Sequence, residues 1–169
     1  MNNIYLVGFM GTGKSSVGRL LSKRTGRKFV DLDDLIEIKE NKKISDIFVK
    51  NLEGYFRKIE KQTLIEISEK QEVIVACGGG IVIDPENIKV MKKTGKIICL
   101  MAKPEVILKR TERYSHRPLL KVDDPKKQIE LLLEKRAPFY AMADITIDTS
   151  ELKMQEVVEE VLKFVKQVD

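Results

Sequence analysis

Gly8-Phe9-Met10-Gly11-Thr12-Gly13-Lys14-Ser15 follows the apolar run Ile4-Tyr5-Leu6-Val7 and leads into a helix-like stretch over 16–23. A strand, a glycine-rich turn ending in Lys-Ser and a helix form a P-loop, whose backbone N–H groups wrap a polyphosphate. Lys14 is placed to reach the outer phosphates, and the Ser15 hydroxyl suits Mg²⁺.

Outward from this loop, short apolar segments alternate with helical patterns. Strands are expected at about 4–7, 28–32, 73–77, 96–101 and 144–147. That alternation predicts an α/β fold with a parallel sheet covered by helices. A mostly helical insertion over 34–71, with Phe56, Ile59, Thr63, Leu64 and Ile67 at helical spacing, is large enough to wall a substrate site. A short helix is expected over 104–110, then a polar flap over 111–124 around Tyr114-Ser115-His116-Arg117-Pro118. Further helices are expected over about 125–135 and 153–168, the last with Val157, Val158, Val161, Leu162 and Val165 as its apolar stripe.

Three groups of residues carry chemistry beyond the P-loop. In Phe29-Val30-Asp31-Leu32-Asp33-Asp34, read as extended chain, Asp31 and Asp33 share a face toward the sheet's carboxyl edge. One carboxylate there can hold Mg²⁺ through water while the other binds the hydroxyl that receives a phosphoryl group. Alternatively Asp33 or Asp34 caps a helix starting at Leu35, with Asp34 the better placed cap. Cys77-Gly78-Gly79-Gly80 closes the third strand with three residues free of side chains, so something approaches that backbone closely. Arg57 and Arg136 are each suited to a bidentate grip on a carboxylate. As isolated features both also read as surface arginines, with Glu53 or Glu60 as helical partners of Arg57. Arg117, fixed before Pro118, can close over transferring phosphates or stand solvated.

Composition narrows the class. The chain has 169 residues, 43% of them hydrophobic, which suits one globular domain over 1–169. Its net charge is +5, but the lysines are spread among acids and form no long basic block, which disfavours nucleic acid as a partner. No apolar run reaches a membrane span, and Met1-Asn2-Asn3 enters the first strand directly, so no signal peptide and a cytoplasmic location are expected. Cys77 and Cys99 lie in strand-like runs as buried thiols, and His116 has no clustered partners for a metal. A GTP switch would require Asn-Lys-x-Asp and Asp-x-x-Gly motifs, which are absent. A nucleotide or gluconate-type kinase shares the P-loop and flap but does not require two arginines converging on a glycine triplet.

Taken together, the motifs resemble those of shikimate kinase over nearly the whole chain. The segments that carry the resemblance are the P-loop through Ser16, Phe29-Val30-Asp31-Leu32-Asp33, Phe56-Arg57-Lys58-Ile59-Glu60, Gly78-Gly79-Gly80, Arg117-Pro118-Leu119-Leu120 and Arg136-Ala137-Pro138-Phe139-Tyr140. The resemblance implies a three-layer nucleoside monophosphate kinase-like fold with strand order 2-3-1-4-5, a substrate-binding insertion and a lid. It implies transfer of the γ-phosphoryl group of ATP to the 3-hydroxyl of shikimate, by a monomer. It also implies site roles. Nucleotide phosphates fall to Gly11, Thr12, Gly13, Lys14, Ser15 and Ser16, and magnesium to Ser15, with Asp31 acting through water. Asp33 takes the acceptor hydroxyl, Arg57 and Arg136 the shikimate carboxylate, and Gly79 the substrate through its backbone. Lys14, Asp33 and the lid residue Arg117 are the catalytic groups, with Arg117 on the phosphates and Arg110 a platform for adenine. Two departures stand out: Cys77 before the triplet, where a hydroxyl or aliphatic residue is expected, and a loop over 148–154 without the family's basic and proline character.

Overall fold

A computed structural model of the chain describes residues 2–49, 53–112 and 122–168. Five strands, β1 (Asn3–Val7), β2 (Lys28–Asp31), β3 (Val73–Ala76), β4 (Gly95–Met101) and β5 (Ile145–Asp148), form one parallel sheet in the order β2-β3-β1-β4-β5. This is the expected order. Because every pairing is parallel, all five strands end on one edge, and the segments following them are brought together there.

The strand side chains alternate between two cores, as period-2 geometry demands. Ile4 and Leu6 of β1 pack with Ile98, Leu100 and Ile147 against helices α1 (Lys14–Thr25) and α8 (Met154–Val168). Val157, Val158, Val161 and Val165 of α8 are buried as its stripe predicted. Tyr5 and Val7 face the other core, with Val73, Val75, Ile97 and Cys99. That side is closed by α2 (Leu32–Glu40), α3 (Ile44–Val49), α4 (Glu53–Ser68) and α5 (Pro85–Thr94). Helix α5 was not anticipated; it starts with Pro85 at its first turn behind Asp84, which accepts from the Glu86 N–H. A third cluster, Phe9, Ala102, Ile107 and Ile129, joins the P-loop to α6 (Pro104–Thr111) and α7 (Pro125–Tyr140).

Two boundaries differ from the expectation in ways that bear on the site. Helix α2 begins at Leu32 rather than Leu35, and Asp31, not Asp34, is its cap, its side chain accepting from the Asp33 N–H. Leu32 is wholly buried against the core, so the chain must turn into helix at once after β2. Asp31 and Asp33 therefore do not share a strand face; Asp33 sits in the first turn of a helix, where the dipole favours its negative charge. Asp34 points outward, 3.7 Å from Arg19. Helix α7 also runs to Tyr140, beyond the expected end near Lys135, with Pro138 accommodated inside it. No described helix is long and apolar enough to cross a membrane.

Candidate active site

The P-loop is shaped by close contacts that exclude side chains. Gly8 has φ 136°, and a Cβ there would lie 2.1 Å from the Leu100 carbonyl oxygen, so only glycine fits between β1 and the end of β4. Thr12 folds the loop back by donating its hydroxyl to the Phe9 carbonyl at 2.8 Å. Gly13, at φ 96°, then turns the chain into α1, whose first residues are Lys14 and Ser15. The N-terminus of α1 thus opens toward the loop, a favourable place for phosphate. The Lys14 ammonium lies across the loop, donating to the Gly8 and Phe9 carbonyls at 2.9 Å each.

Ser15 and Asp31 meet directly. The Ser15 hydroxyl donates to Asp31 Oδ2 at 2.6 Å, while Asp31 Oδ1 caps α2 at 3.2 Å. One hydroxyl and one carboxylate suit a magnesium ion that takes its remaining oxygens from phosphate and water. Among the described residues no group of three or more His, Cys, Asp or Glu could enclose a metal by itself. The donor set of Ser15 and Asp31 fits a Mg²⁺ that arrives with a nucleotide.

The glycine triplet is where the remaining residues converge. A Cβ on Gly78 would meet Glu60 Oε1 at 2.8 Å and Asp33 Oδ1 at 3.0 Å. On Gly79 it would meet Arg136 Nη1 at 3.4 Å, the Gly8 carbonyl at 3.5 Å and the Met10 nitrogen at 3.7 Å. On Gly80 it would fall 2.5 Å from Arg57 Nη2. Each glycine leaves room for a different group, delivered by α2, α4, α7 and the P-loop. The following turn, Ile81–Ile83, is held by Asn87 of α5, which donates to the Ile81 carbonyl at 3.0 Å.

Arg136 is buried, and Arg57 is half-buried and held by its helical neighbours. Arg136 is 8% exposed, and its guanidinium carbon lies 5.5 Å from the centre of the Phe9 ring. Arg57 donates to Glu60 Oε2 at 2.7 Å and lies 3.5 Å from Glu53, so both helical partners are engaged. Glu60 is wholly buried, and burial pushes its carboxyl up to about 7, against the pull of Arg57. Among the described residues its Oε1 has no hydrogen-bond partner. The sequence assigns Glu60 no role of its own; its burial is signalled by its place beside Ile59 and Thr63 on the apolar face of α4.

On the nucleotide side, Arg110 grips Thr149, with Nη1 to the hydroxyl at 3.0 Å and Nη2 to the carbonyl at 2.7 Å. The single proton of the Thr149 hydroxyl has two carbonyls in reach, Met101 O at 3.0 Å and Thr12 O at 3.2 Å. Thr149, which the sequence did not single out, thus ties the loop after β5 to the P-loop. Ser16 is exposed on the first turn of α1. Cys77 is fully buried, its thiol pushed up by burial, so it sits as a neutral core residue behind the triplet. Cys99 is also buried, its thiol raised to about 11. His116, Arg117 and the centre of the expected flap lie outside the described residues.

Comparison with known proteins agrees with this geometry. The family model for shikimate kinase matches residues 10–166. The shikimate kinase of Thermoanaerobacter pseudethanolicus is 45% identical over 163 residues, covering 96% of this chain and 95% of the relative. That of Caldanaerobacter subterraneus subsp. tengcongensis is 47% identical with the same coverage. The structure superposes on the shikimate kinase of Acinetobacter baumannii in complex with shikimate with a TM-score of 0.95 at 36% identity, covering 100% of this chain and 95% of that one. Sequence and fold agree across almost the full length of each partner, and so the chain belongs to the shikimate kinase family.

Proposed function

We propose that this chain transfers the γ-phosphoryl group of ATP to the 3-hydroxyl of shikimate, giving ADP and shikimate 3-phosphate on the route to aromatic amino acids. The observation that carries this reading is the glycine triplet: a phosphate-binding loop, an aspartate and two arginines all face one stretch of bare backbone. The P-loop amides of Gly11 to Ser16 hold the phosphates, and Lys14 leaves its carbonyl partners to neutralise charge on the β and γ groups. Ser15 directly and Asp31 through water would hold magnesium, which would offset the charge of the phosphates. Arg57 and Arg136 clamp the shikimate carboxylate on either side of the triplet, and the Gly79 backbone contacts the ring. Two fixed guanidinium groups orient the acceptor so that one hydroxyl reaches Asp33.

Asp33 accepts a hydrogen bond from that hydroxyl and takes its proton as the bond to phosphorus forms. In a loose phosphoryl-transfer transition state the nucleophile is only lightly engaged, so alignment and late proton transfer are what the carboxylate supplies. Arg110 borders the adenine, and Arg117 completes the phosphate clamp from a lid over 111–124, these roles resting on the family resemblance. The same reading makes the chain one kinase domain, with its substrate-binding insertion over 34–71, that works as a cytoplasmic monomer without nucleic acid. The test is ADP release with MgATP: it rises steeply on addition of shikimate and stays near the hydrolytic background with gluconate or a nucleoside monophosphate. Equal ADP release with gluconate would overturn the substrate assignment.

A further inference from the structure

Helix α7 ends in a residue for which the chemistry above has no use. Tyr140 is 3% exposed and lies one helical turn after Arg136, on the same face, because α7 continues through Pro138. Its hydroxyl donates to the Gly79 carbonyl at 2.7 Å. Burial raises the pKa of that hydroxyl, and the nearby Arg136 charge opposes the rise. A phenol has one proton to give, and here it goes to the Gly79 carbonyl.

The Gly79 carbonyl belongs to the planar peptide that links Gly79 to Gly80. Its two flanking α-carbons face Arg136 at 3.4 Å and Arg57 at 2.5 Å, measured to ideal Cβ positions. Glycines on both sides offer little resistance to rotation of that peptide. One hydroxyl therefore fixes the most pliable part of the site, the peptide that both guanidinium groups face. We propose that Tyr140 is a positioning residue of the acceptor site, whose hydroxyl locks the Gly79–Gly80 peptide in the arrangement that, with Arg136 and Arg57 beside it, receives the substrate carboxylate. The proposal rests on the reading that shikimate binds there.

Tyr140→Phe keeps the ring and removes the lock. Shikimate affinity, measured by titration calorimetry, is expected to weaken about tenfold, as for loss of a buried hydrogen bond. KM for shikimate rises in step, kcat changes less than about threefold, and ADP affinity is unchanged. Tyr5→Phe is the control. It also deletes a buried phenol hydroxyl, here bonded to Thr94 at 2.7 Å, but at the opposite edge of the sheet, and it leaves shikimate affinity unchanged.

Equal shikimate affinity in wild type and Tyr140→Phe overturns the inference while leaving the function intact. A reduced active fraction with unchanged affinity overturns it as well. Absence of shikimate binding by the wild type overturns the underlying reading instead. If Tyr140→Phe folds poorly, a ring-fluorinated tyrosine at 140 preserves the shape and makes the hydroxyl more acidic. Shikimate binding by that variant then weakens at alkaline pH where the natural residue does not; parallel pH profiles would sink the proposal.

Discussion

The nucleotide half and the acceptor half of the site are built by opposite means. The nucleotide half is nearly contiguous: Gly8 to Ser15 is one strand end, one turn and the first residues of one helix, and its geometry follows from local backbone demands. The acceptor half is assembled from afar. Asp33, Arg57, Glu60, the triplet and Arg136 span more than half the chain and meet only because β2 and β3 lie side by side on one edge of a parallel sheet. A local device tolerates change elsewhere in the molecule, whereas an assembled one depends on every element that delivers a group. Substitutions in the first half should therefore damage chemistry with stability intact; those in the second should divide between binding, chemistry and folding.

The largest effect is expected at Lys14, where Lys14→Met should lower kcat by about 10²-fold or more, the scale for removing preorganised charge stabilisation. Shikimate affinity and melting temperature should stay near wild type. Near-normal turnover in a folded variant would break the nucleotide side of the comparison. Asp33→Asn comes next, and the structure simplifies its interpretation. Since Asp31 caps α2, that cap survives the change. The variant should keep its melting temperature and ATP binding while kcat falls by about 10²-fold, the usual range for loss of a general base. Wild-type turnover would reject the proton-accepting role.

The triplet sharpens the contrast at smaller cost. Gly80→Ala places a methyl where the Arg57 guanidinium now sits, 2.5 Å from Nη2. A flexible side-chain end can move, so folding survives, but the carboxylate grip does not. KM for shikimate should rise about tenfold or more, with ADP affinity unchanged, as for loss of a bidentate charge-assisted contact. Arg57→Lys and Arg136→Lys should act in the same direction, because an ammonium cannot reproduce the planar fork. Normal shikimate titrations for both lysine variants would mean that the carboxylate site has been misplaced.

Legibility follows the same division. The P-loop, the strand order and the α8 stripe were readable because each rests on short-range pattern or on a fold resemblance. The helix start at Leu32 was not, because the alternation of Asp31 and Asp33 looks extended until the burial of Leu32 decides otherwise. The reach of α7 was hidden by Pro138, which normally argues for a helix end. Burial of Arg136 is a tertiary outcome that nothing local signals, whereas Glu60 lies beside Ile59 and Thr63 on the apolar face of α4.

Glu60 supplies the smallest and most conditional effect, and one that separates the two halves by pH. Its carboxyl ordinarily titrates near 4.5 but is raised to about 7 in the fold, chiefly by burial. Asp33, on the neighbouring helix, adds in the same direction, whereas Arg57 and Arg136 pull it down. The folded state thus holds a proton that the unfolded chain releases, so the stability associated with this group is full below about 4.5 and is lost as pH rises through about 7. Glu60→Gln keeps an acceptor for Arg57 but cannot ionise. Between pH 5 and 8 the wild type should lose stability relative to Glu60→Gln, the two melting curves being closest at the acidic end. The effect should be seen without nucleotide or shikimate, since it belongs to the scaffold under the acceptor half. If the difference between the two proteins does not change across that range, the Glu60 carboxyl does not titrate within it, and the pH dependence assigned to this group is wrong.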